Sequence, residues 1–97
     1  MNNSYLVKIE EDAKFDIADS FDYYNEVSPY LADKFLNEVK ETLDYISLNP
    51  LLFKIVYNDY RQVPVKRFPY VIVYKVDESI IKVYRLFPTK KDPKTKF

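Results

Sequence analysis

Hydrophobic residues in the first half of the chain recur at three- and four-residue spacing, which is the period of an amphipathic helix. The first such series is Ala13, Ile17, Phe21 and Tyr24, with aspartates largely between them. Asp12 is expected to cap this helix, because an aspartate before the first apolar position accepts hydrogen bonds from unpaired backbone N–H groups. The pattern predicts a helix that buries one face.

A second helix is predicted to begin at Ser28-Pro29, since serine is a favoured N-cap and proline is tolerated at the first helical position. It is expected to end near Asn49-Pro50, because proline disfavours helical geometry in the residue before it. Its apolar stripe consists of Leu31, Phe35, Val39, Leu43 and Ile46. Two helices joined by a tight link form a hairpin that must cover an apolar surface.

Strand patterns flank this hairpin. Residues 5–9 form a short apolar run before the first helix. Three later runs resemble strands, namely residues 60–65, 68–76 and 80–87. Pro64 places the first of these at an edge or a bulge, whereas residues 68–76 are apolar on both faces and are predicted to form a central strand. Residues 51–59 receive no assignment.

The predicted order is therefore strand, helix, helix, strand, strand, strand. This is an α+β fold in which a helical hairpin packs on a small antiparallel sheet. The chain contains no glycine, and two-residue hairpin turns favour glycine, asparagine or aspartate at positive φ. We therefore expect a turn of three or more residues at Asp77-Glu78-Ser79. Residues 1–97 form one domain, with a basic tail over residues 88–97 that is expected to be partly disordered.

Composition excludes several classes of function. The chain has neither cysteine nor histidine, so thiolate chemistry, disulfides and the usual zinc ligands are missing. We predict no metal and no cofactor. No window approaches 18 uncharged apolar residues, and the first residues lack a basic region followed by an apolar one. The expected location is the cytoplasm, with no membrane partner.

The net charge of zero conceals a separation between the two halves. Residues 1–49 carry 4 basic and 11 acidic side chains, whereas residues 50–97 carry 11 basic and 4 acidic ones. Such asymmetry is typical of proteins whose partners of opposite charge bind at different surfaces. An acidic helical layer beside a basic sheet, both merely solvated, explains the same numbers.

Three segments together carry a family resemblance. They are Arg67-Phe68-Pro69-Tyr70 continuing into Val71–Tyr74, the hairpin to residues 80–87, and Lys90-Lys91-Asp92-Pro93. In order and spacing this chain resembles the RelE/ParE family of toxins from bacterial type II toxin–antitoxin systems, over nearly its whole length. The resemblance implies a toxin that is neutralised by a cognate antitoxin, which wraps an extended or helical segment around it.

The resemblance leaves the cellular target open. RelE-like members cleave messenger RNA in the ribosomal A site with basic residues and often a tyrosine, whereas ParE-like members poison DNA gyrase. In this chain Val71 stands where RelE-like nucleases carry an arginine, and Pro88 stands where many carry histidine. We therefore expect a ParE-like toxin. The alternatives are a ribosome-dependent endonuclease and a degenerate, non-toxic binding module.

Candidate site residues follow from the same comparison. For a nuclease, the residues that can supply positive charge or an acid are Arg67, Arg85, Lys90, Lys91 and Tyr84; a base is not evident. Residues expected to bind the antitoxin or the target are Arg61, Lys66, Arg67, Arg85, Lys90 and Lys91. The antitoxin is predicted to lie across the sheet and to bring acidic side chains to Arg61, Arg67 or Arg85. Each arginine has an alternative role, in which it packs on apolar neighbours and pairs with a carboxylate of its own chain.

The aromatic residues are assigned mainly to packing. Tyr70, Tyr74 and Tyr84 are expected to be half-buried strand residues rather than platforms for nucleobases. Five phenylalanines are assigned to the core or to a partner groove, namely Phe15, Phe21, Phe35, Phe53 and Phe68.

Overall fold

In a computed structural model of the protein, which describes residues 5–89, a helical hairpin lies on one face of a five-stranded sheet. The elements are β1 (Leu6–Ile9), α1 (Glu11–Val27), α2 (Pro29–Leu48), β2 (Ile55–Tyr57), β3 (Tyr60–Pro64), β4 (Tyr70–Asp77) and β5 (Ile80–Pro88). The α+β class and the order of the six predicted elements are confirmed. β2 is an additional strand within the unassigned segment. Within residues 5–89, neither helix is long and apolar enough to cross a membrane.

The helix boundaries show which capping expectations hold. Ser28 accepts a hydrogen bond from the backbone N–H of Leu31 at 3.4 Å, and Pro29 is the first residue of α2, as predicted. The expectation for Asp12 is wrong. Glu10 is the N-cap of α1 and makes no capping bond with its side chain, so that Asp12 lies inside the first turn. There its charge is favourable because it faces the positive end of the helix dipole.

The strand order in the sheet is β1-β5-β4-β3-β2, which makes β4 the central strand, as predicted. All neighbouring strands are antiparallel except β1 and β5, which are parallel. The sheet is thus mixed rather than purely antiparallel. Pro64 lies beyond the last pairing with β2, at Arg61, and is therefore unpaired on that side by any described strand, as expected for a residue without an N–H group.

The core lies between the sheet and the helical hairpin. Its fully buried members come from both layers and include Ala13, Phe35, Ile46, Ile72, Tyr74, Ile81 and Val83. Phe21, Phe53 and Phe68 pack against this cluster. Phe15 is 72% exposed and lies outside the core, so that of the two places predicted for it only the partner groove is left. It lies two residues from both Ala13 and Ile17, and at 3.6 residues per turn such a position points to the opposite side of the helix.

The β4–β5 turn is shorter than expected. Asp77 pairs directly with Ile80, so that the loop contains only Glu78 and Ser79. Glu78 has a φ of 57°, in the left-handed region that glycine adopts without strain. Asn58 and Arg67 also have positive φ, at 48° and 68°. The prediction of a longer turn is wrong. The pairing of Asp77 with Ile80 leaves only two residues for the turn, and Glu78 adopts a positive φ there although it is not glycine.

We predict that Glu78→Gly stabilises the protein by about 0.5–1 kcal/mol. Left-handed backbone costs a non-glycine residue about 1–2 kcal/mol, and glycine removes this cost. Part of the gain is offset because glycine also increases the conformational entropy of the unfolded chain. The free energy of unfolding in denaturant measures the change. Ser79→Gly is the matched control, since Ser79 is not among the residues with positive φ, and it is expected to destabilise. Equal effects of the two substitutions would contradict this account of the turn.

Candidate functional site

The face of the sheet opposite the helices is the principal candidate surface. Within residues 5–89, α1 and α2 both pack on the other face, and only the first turn of α1 reaches the margin of this one, through Asp12. We call it the uncovered face. It contains an open depression of about 460 Å³, lined by Asp12, Val56, Tyr57, Tyr60, Gln62, Val73, Tyr84, Arg85 and Phe87. Aromatic rings and apolar side chains thus form most of its lining.

A β-bulge places two candidate residues together in this depression. Val73 pairs with Arg85, whereas the next residue of β4, Tyr74, pairs with Val83. Tyr84 is therefore an extra residue in β5, and both it and Arg85 line the depression although they are consecutive in sequence. A bulge re-aims side chains in this way because the strict alternation of faces is interrupted.

Arg85 is held by a carboxylate from α1. Its Nε and Nη2 donate to the two oxygens of Asp16 at 2.7 and 3.1 Å, and the backbone N–H of Leu86 donates to the same carboxylate at 3.0 Å. Burial works to raise the pKa of Asp16, but the hydrogen bonds from Arg85 and Leu86 and the charge of Arg85 outweigh it and lower that pKa. Arg85 is thus part of the contact between α1 and the sheet.

Arg61 and Tyr74, which pair across β3 and β4, fasten the segment that joins α2 to β2. The Arg61 guanidinium donates to the carbonyl of Phe53 at 2.6 Å and to that of Leu51 at 3.4 Å. The Tyr74 hydroxyl donates to the carbonyl of Pro50 at 2.8 Å. Burial raises the pKa of Tyr74, with Arg61 acting in the opposite direction. These three hydrogen bonds fix the path of residues 49–54, the segment between α2 and β2 that forms neither helix nor strand.

The remaining described candidates lie on the helical side of the sheet. Arg67 donates to the carboxylate of Glu38 on α2 at 2.7 Å. Lys66 lines a separate groove between α2 and β3, whose other members include Glu38, Thr42 and Val63. The structure therefore brings together only Tyr84 and Arg85 on the uncovered face, and it separates them from Arg61, Lys66 and Arg67. Lys90 and Lys91 lie outside the described residues.

Three residues that sequence reasoning passed over help to shape the site. Asp16 and Glu38 bind the arginines, and the sequence carries no signal for this because each is one of many helical acids. Lys75 places its ammonium 5.0 Å from the centre of the Tyr60 ring. The sequence contained a signal for this position of Lys75. It lies two residues after Val73 on the predicted central strand, and alternate residues of a strand share a face.

The two positions at which this chain departs from RelE-like nucleases, Val71 and Pro88, lie close together in the fold. Val71 pairs with Phe87, and Tyr70 with Pro88, so that the two positions singled out in the sequence lie at the same end of the β4–β5 hairpin. Neither side chain carries a proton that can be transferred. Burial, and after it the hydrogen bond to Tyr70, raise the pKa of Tyr24 to about 12. This hydroxyl is therefore a poorer proton donor near neutral pH. No cluster of three or more acidic side chains suited to a metal ion occurs among residues 5–89.

Comparison with known proteins identifies the family. Residues 7–93 match the ParE toxin of type II toxin–antitoxin system, parDE. The chain belongs to the ParE toxin family. Among solved structures, the ParE fold of this chain is similar to that of the "Chromosomal ParDE TA system from P. aeruginosa", with a TM-score of 0.80, 17% sequence identity and coverage of 92% of this chain and 100% of that chain. A comparison with curated proteins gives no match. The expected resemblance to ParE rather than RelE is confirmed.

We predict that Tyr74→Phe destabilises this ParE chain by about 1–2 kcal/mol, because it leaves the carbonyl of Pro50 without its buried donor. The measurement is the free energy of unfolding in urea. Tyr30→Phe removes a hydroxyl from a residue that is 69% exposed, and this control is expected to change stability by less than about 0.5 kcal/mol. A Tyr74→Phe value within the control range would show that the bond does not hold the connector.

We predict that Asp16→Asn lowers the free energy of unfolding by about 2 kcal/mol at pH 7, because charged hydrogen bonds to Arg85 and Leu86 are weakened. The folded-state pKa of Asp16 is depressed below its ordinary value of 3.8. Its contribution is therefore present above that value and is lost as the pH falls through the folded-state pKa.

Denaturation at pH 7 and at successively lower pH tests this dependence. The difference between the parent and Asp16→Asn is expected to narrow below about pH 4, where the carboxyl of the unfolded chain becomes protonated. Asp19→Asn, an exposed position of the same helix, serves as the control. A difference that is independent of pH would contradict the role of the Asp16 charge.

Proposed function

We propose that this ParE chain is a toxin that a cognate antitoxin neutralises, and that it acts by binding a macromolecular target such as DNA gyrase. The observation that best supports binding rather than cleavage concerns the uncovered face. Its arginine is already paired with Asp16, and Val71 and Pro88, where RelE-like nucleases carry arginine and many relatives histidine, have side chains without acid–base chemistry.

Cleavage of RNA through its 2′-hydroxyl requires a base, an acid and positive charge directed at the phosphate. Arg85 and Arg67 bind Asp16 and Glu38 at 2.7 Å in the free protein. A phosphate competing for either arginine displaces a carboxylate that also belongs to the fold. Tyr84 is the one predicted acid on the uncovered face, and Asp12 is the one carboxylate that lines the same depression. Ribosome-dependent cleavage is accordingly the second hypothesis.

An antitoxin partner is supported by the family, the ParE toxins of type II toxin–antitoxin systems, and by the similar solved structure, which is of a ParDE system from P. aeruginosa. The uncovered face suits such a partner because its depression offers apolar side chains and aromatic rings beside the charged side chains of Arg85 and Asp12. Arg85 remains a proposed contact from within that depression. Arg61, Lys66, Arg67, Lys90 and Lys91 remain proposed contacts for the antitoxin or the target.

The internal bonds of the arginines determine how these contacts can be tested. Reversing the charge of Arg61 or Arg85 removes hydrogen bonds that hold the connector or α1. Loss of antitoxin binding in such a variant therefore has two explanations. Each variant must first be shown to unfold at the same denaturant concentration as the parent, or at a known offset from it.

We predict that controlled expression of the chain in a bacterium produces DNA double-strand breaks and an SOS response without new messenger RNA ends. Co-expression of the small gene adjacent to it is expected to restore growth. Break formation is measured by pulsed-field electrophoresis and transcript ends by primer extension. Gyrase with supercoiled plasmid and the purified chain, with and without the antitoxin, provides the matching assay in vitro.

Other outcomes would overturn the proposal. New in-frame 5′ ends that disappear in Tyr84→Phe, a substitution that keeps the ring but removes the hydroxyl, would establish the endonuclease instead. An absence of toxicity, with antitoxin binding retained, would identify a non-toxic binding module.

A further inference from the structure

Three lysines lie side by side across the uncovered face. Lys8 of β1 pairs with Lys82 of β5, and Lys82 pairs with Lys75 of β4. Directly paired residues project from the same face with Cβ atoms about 5 Å apart. Their neighbours Ile81 and Val83 are buried in the core on the other face, so all three project from the uncovered face. We call them the lysine row.

Such a row is unfavourable for the sheet by itself, because like charges directly opposite one another repel. Only part of its charge is balanced. Lys82 lies 3.2 Å from Asp77, whereas Lys8 and Glu10 are 4.0 Å apart and the Lys8 side chain is 63% exposed. The hydrogen bond and charge of Asp77 hold the pKa of Lys82 above its ordinary value, so Lys82 stays charged. The row thus carries positive charge that Asp77 and Glu10 only partly balance, which suits it to an anionic partner.

The aromatic residues beside the row distinguish between two kinds of anionic partner. Single-stranded nucleic acid requires ring faces on which bases stack. Here the Lys75 ammonium lies over the Tyr60 ring at 5.0 Å, and the Arg85 guanidinium lies over the Phe87 ring at 4.9 Å. Tyr60 also meets Tyr84 edge to face, with ring centres 5.4 Å apart. Tyr60 and Phe87 thus support cations instead of offering free faces, which leaves Tyr57 as the most exposed ring of the depression. One such ring is a small platform for stacked bases, and this favours carboxylates over nucleobases.

The depression next to the row determines the rest of the partner's character. Val56, Val73 and Phe87 contribute apolar surface to it. A segment that crosses the sheet from β1 towards β2 therefore meets positive charge first and apolar surface next. Its complement is a peptide that carries several acidic side chains on one part and apolar side chains on another.

We propose that the uncovered face is the docking site of an acidic, amphipathic peptide segment of the antitoxin, with its carboxylates on Lys8, Lys75 and Lys82. This inference rests on the proposed function for the identity of the partner. It differs from the arginine contacts predicted from sequence, because these lysines serve the fold less than Arg61, Arg67 and Arg85 do.

The test compares two triple variants by fluorescence anisotropy. The probe is a short fluorescein-labelled peptide that alternates stretches of glutamate and leucine. Lys8→Gln/Lys75→Gln/Lys82→Gln is expected to weaken its binding about tenfold, the combined effect of three exposed charge pairs. The matched control is Lys14→Gln/Lys34→Gln/Lys40→Gln on the helical layer, where Lys14 and Lys40 pair with Glu11 and Asp44 and Lys34 lies over the Tyr30 ring. The control is expected to bind like the parent.

Further probes identify the chemistry that is recognised. The same peptide with glutamine in place of glutamate is expected to bind more weakly to the parent, and the difference is expected to shrink as salt is added. Circular dichroism confirms that each triple variant is folded. If the row variant does not fold, Lys75→Gln alone replaces it, since Lys75 interacts with a ring rather than an acid.

Two results would overturn the inference. One is equal peptide binding by the row variant and the control. The other is tighter binding of oligouridylate or oligothymidylate than of the acidic peptide, with loss of that binding in the row variant, which would make the face a nucleic-acid site. Neither of these results bears on the proposed function, which is tested by toxicity and its relief by the adjacent gene. Absence of toxicity, by contrast, would contradict the proposed function. The peptide measurement would then still test whether the lysine row binds an acidic segment.

Discussion

The carboxylate of Asp16 is the contact on which the arrangement of this chain depends most directly. β1 pairs with β5 only from Ile80 to Val83, and the chain then turns into α1, so within residues 5–89 the second half of β5 has no neighbouring strand on that side. Asp16 accepts the N–H of Leu86 and both donors of Arg85. One side chain thereby protects a sheet edge, neutralises an arginine and fixes α1 against the sheet.

Internal bonds of this kind also explain why the basic half of the chain is not a uniform functional surface. Arg61, Arg67 and Arg85 each hold a segment in place through carbonyl or carboxylate oxygens. Guanidinium groups suit these tasks because they donate several hydrogen bonds in a fixed plane. The lysines across the uncovered face have longer contacts with their acidic neighbours, at 3.2 Å for Lys82 and 4.0 Å for Lys8. Within residues 5–89, the shortest bonds of basic side chains are thus made by arginines.

Particular residues show how far sequence reasoning reached. The Ser28-Pro29 junction, both helical stripes and the central strand were predicted, because capping chemistry and periodicity act within a few residues. Phe15 was assigned by hydrophobicity alone and is exposed. The two-residue turn at Glu78 was missed because strand pairing imposes a backbone that local preference disfavours. β2 was missed because Ile55–Tyr57 is short, exposed on all three residues, and paired only through the hairpin with β3.

For function, the sequence by itself determined the family, the fold class and the absence of residues for thiolate or histidine chemistry. Only the tertiary structure decided which cations bond within the fold and which project from the uncovered face. The reason is physical: Asp16 and Arg85 are 69 residues apart, and the pairing of β1 with β5 joins Lys8 to Lys82 over a separation of 74 residues, so no local pattern encodes these contacts. The register of the sheet aligned scattered lysines in one row, and the packing of α1 gave Arg85 a carboxylate partner within the fold.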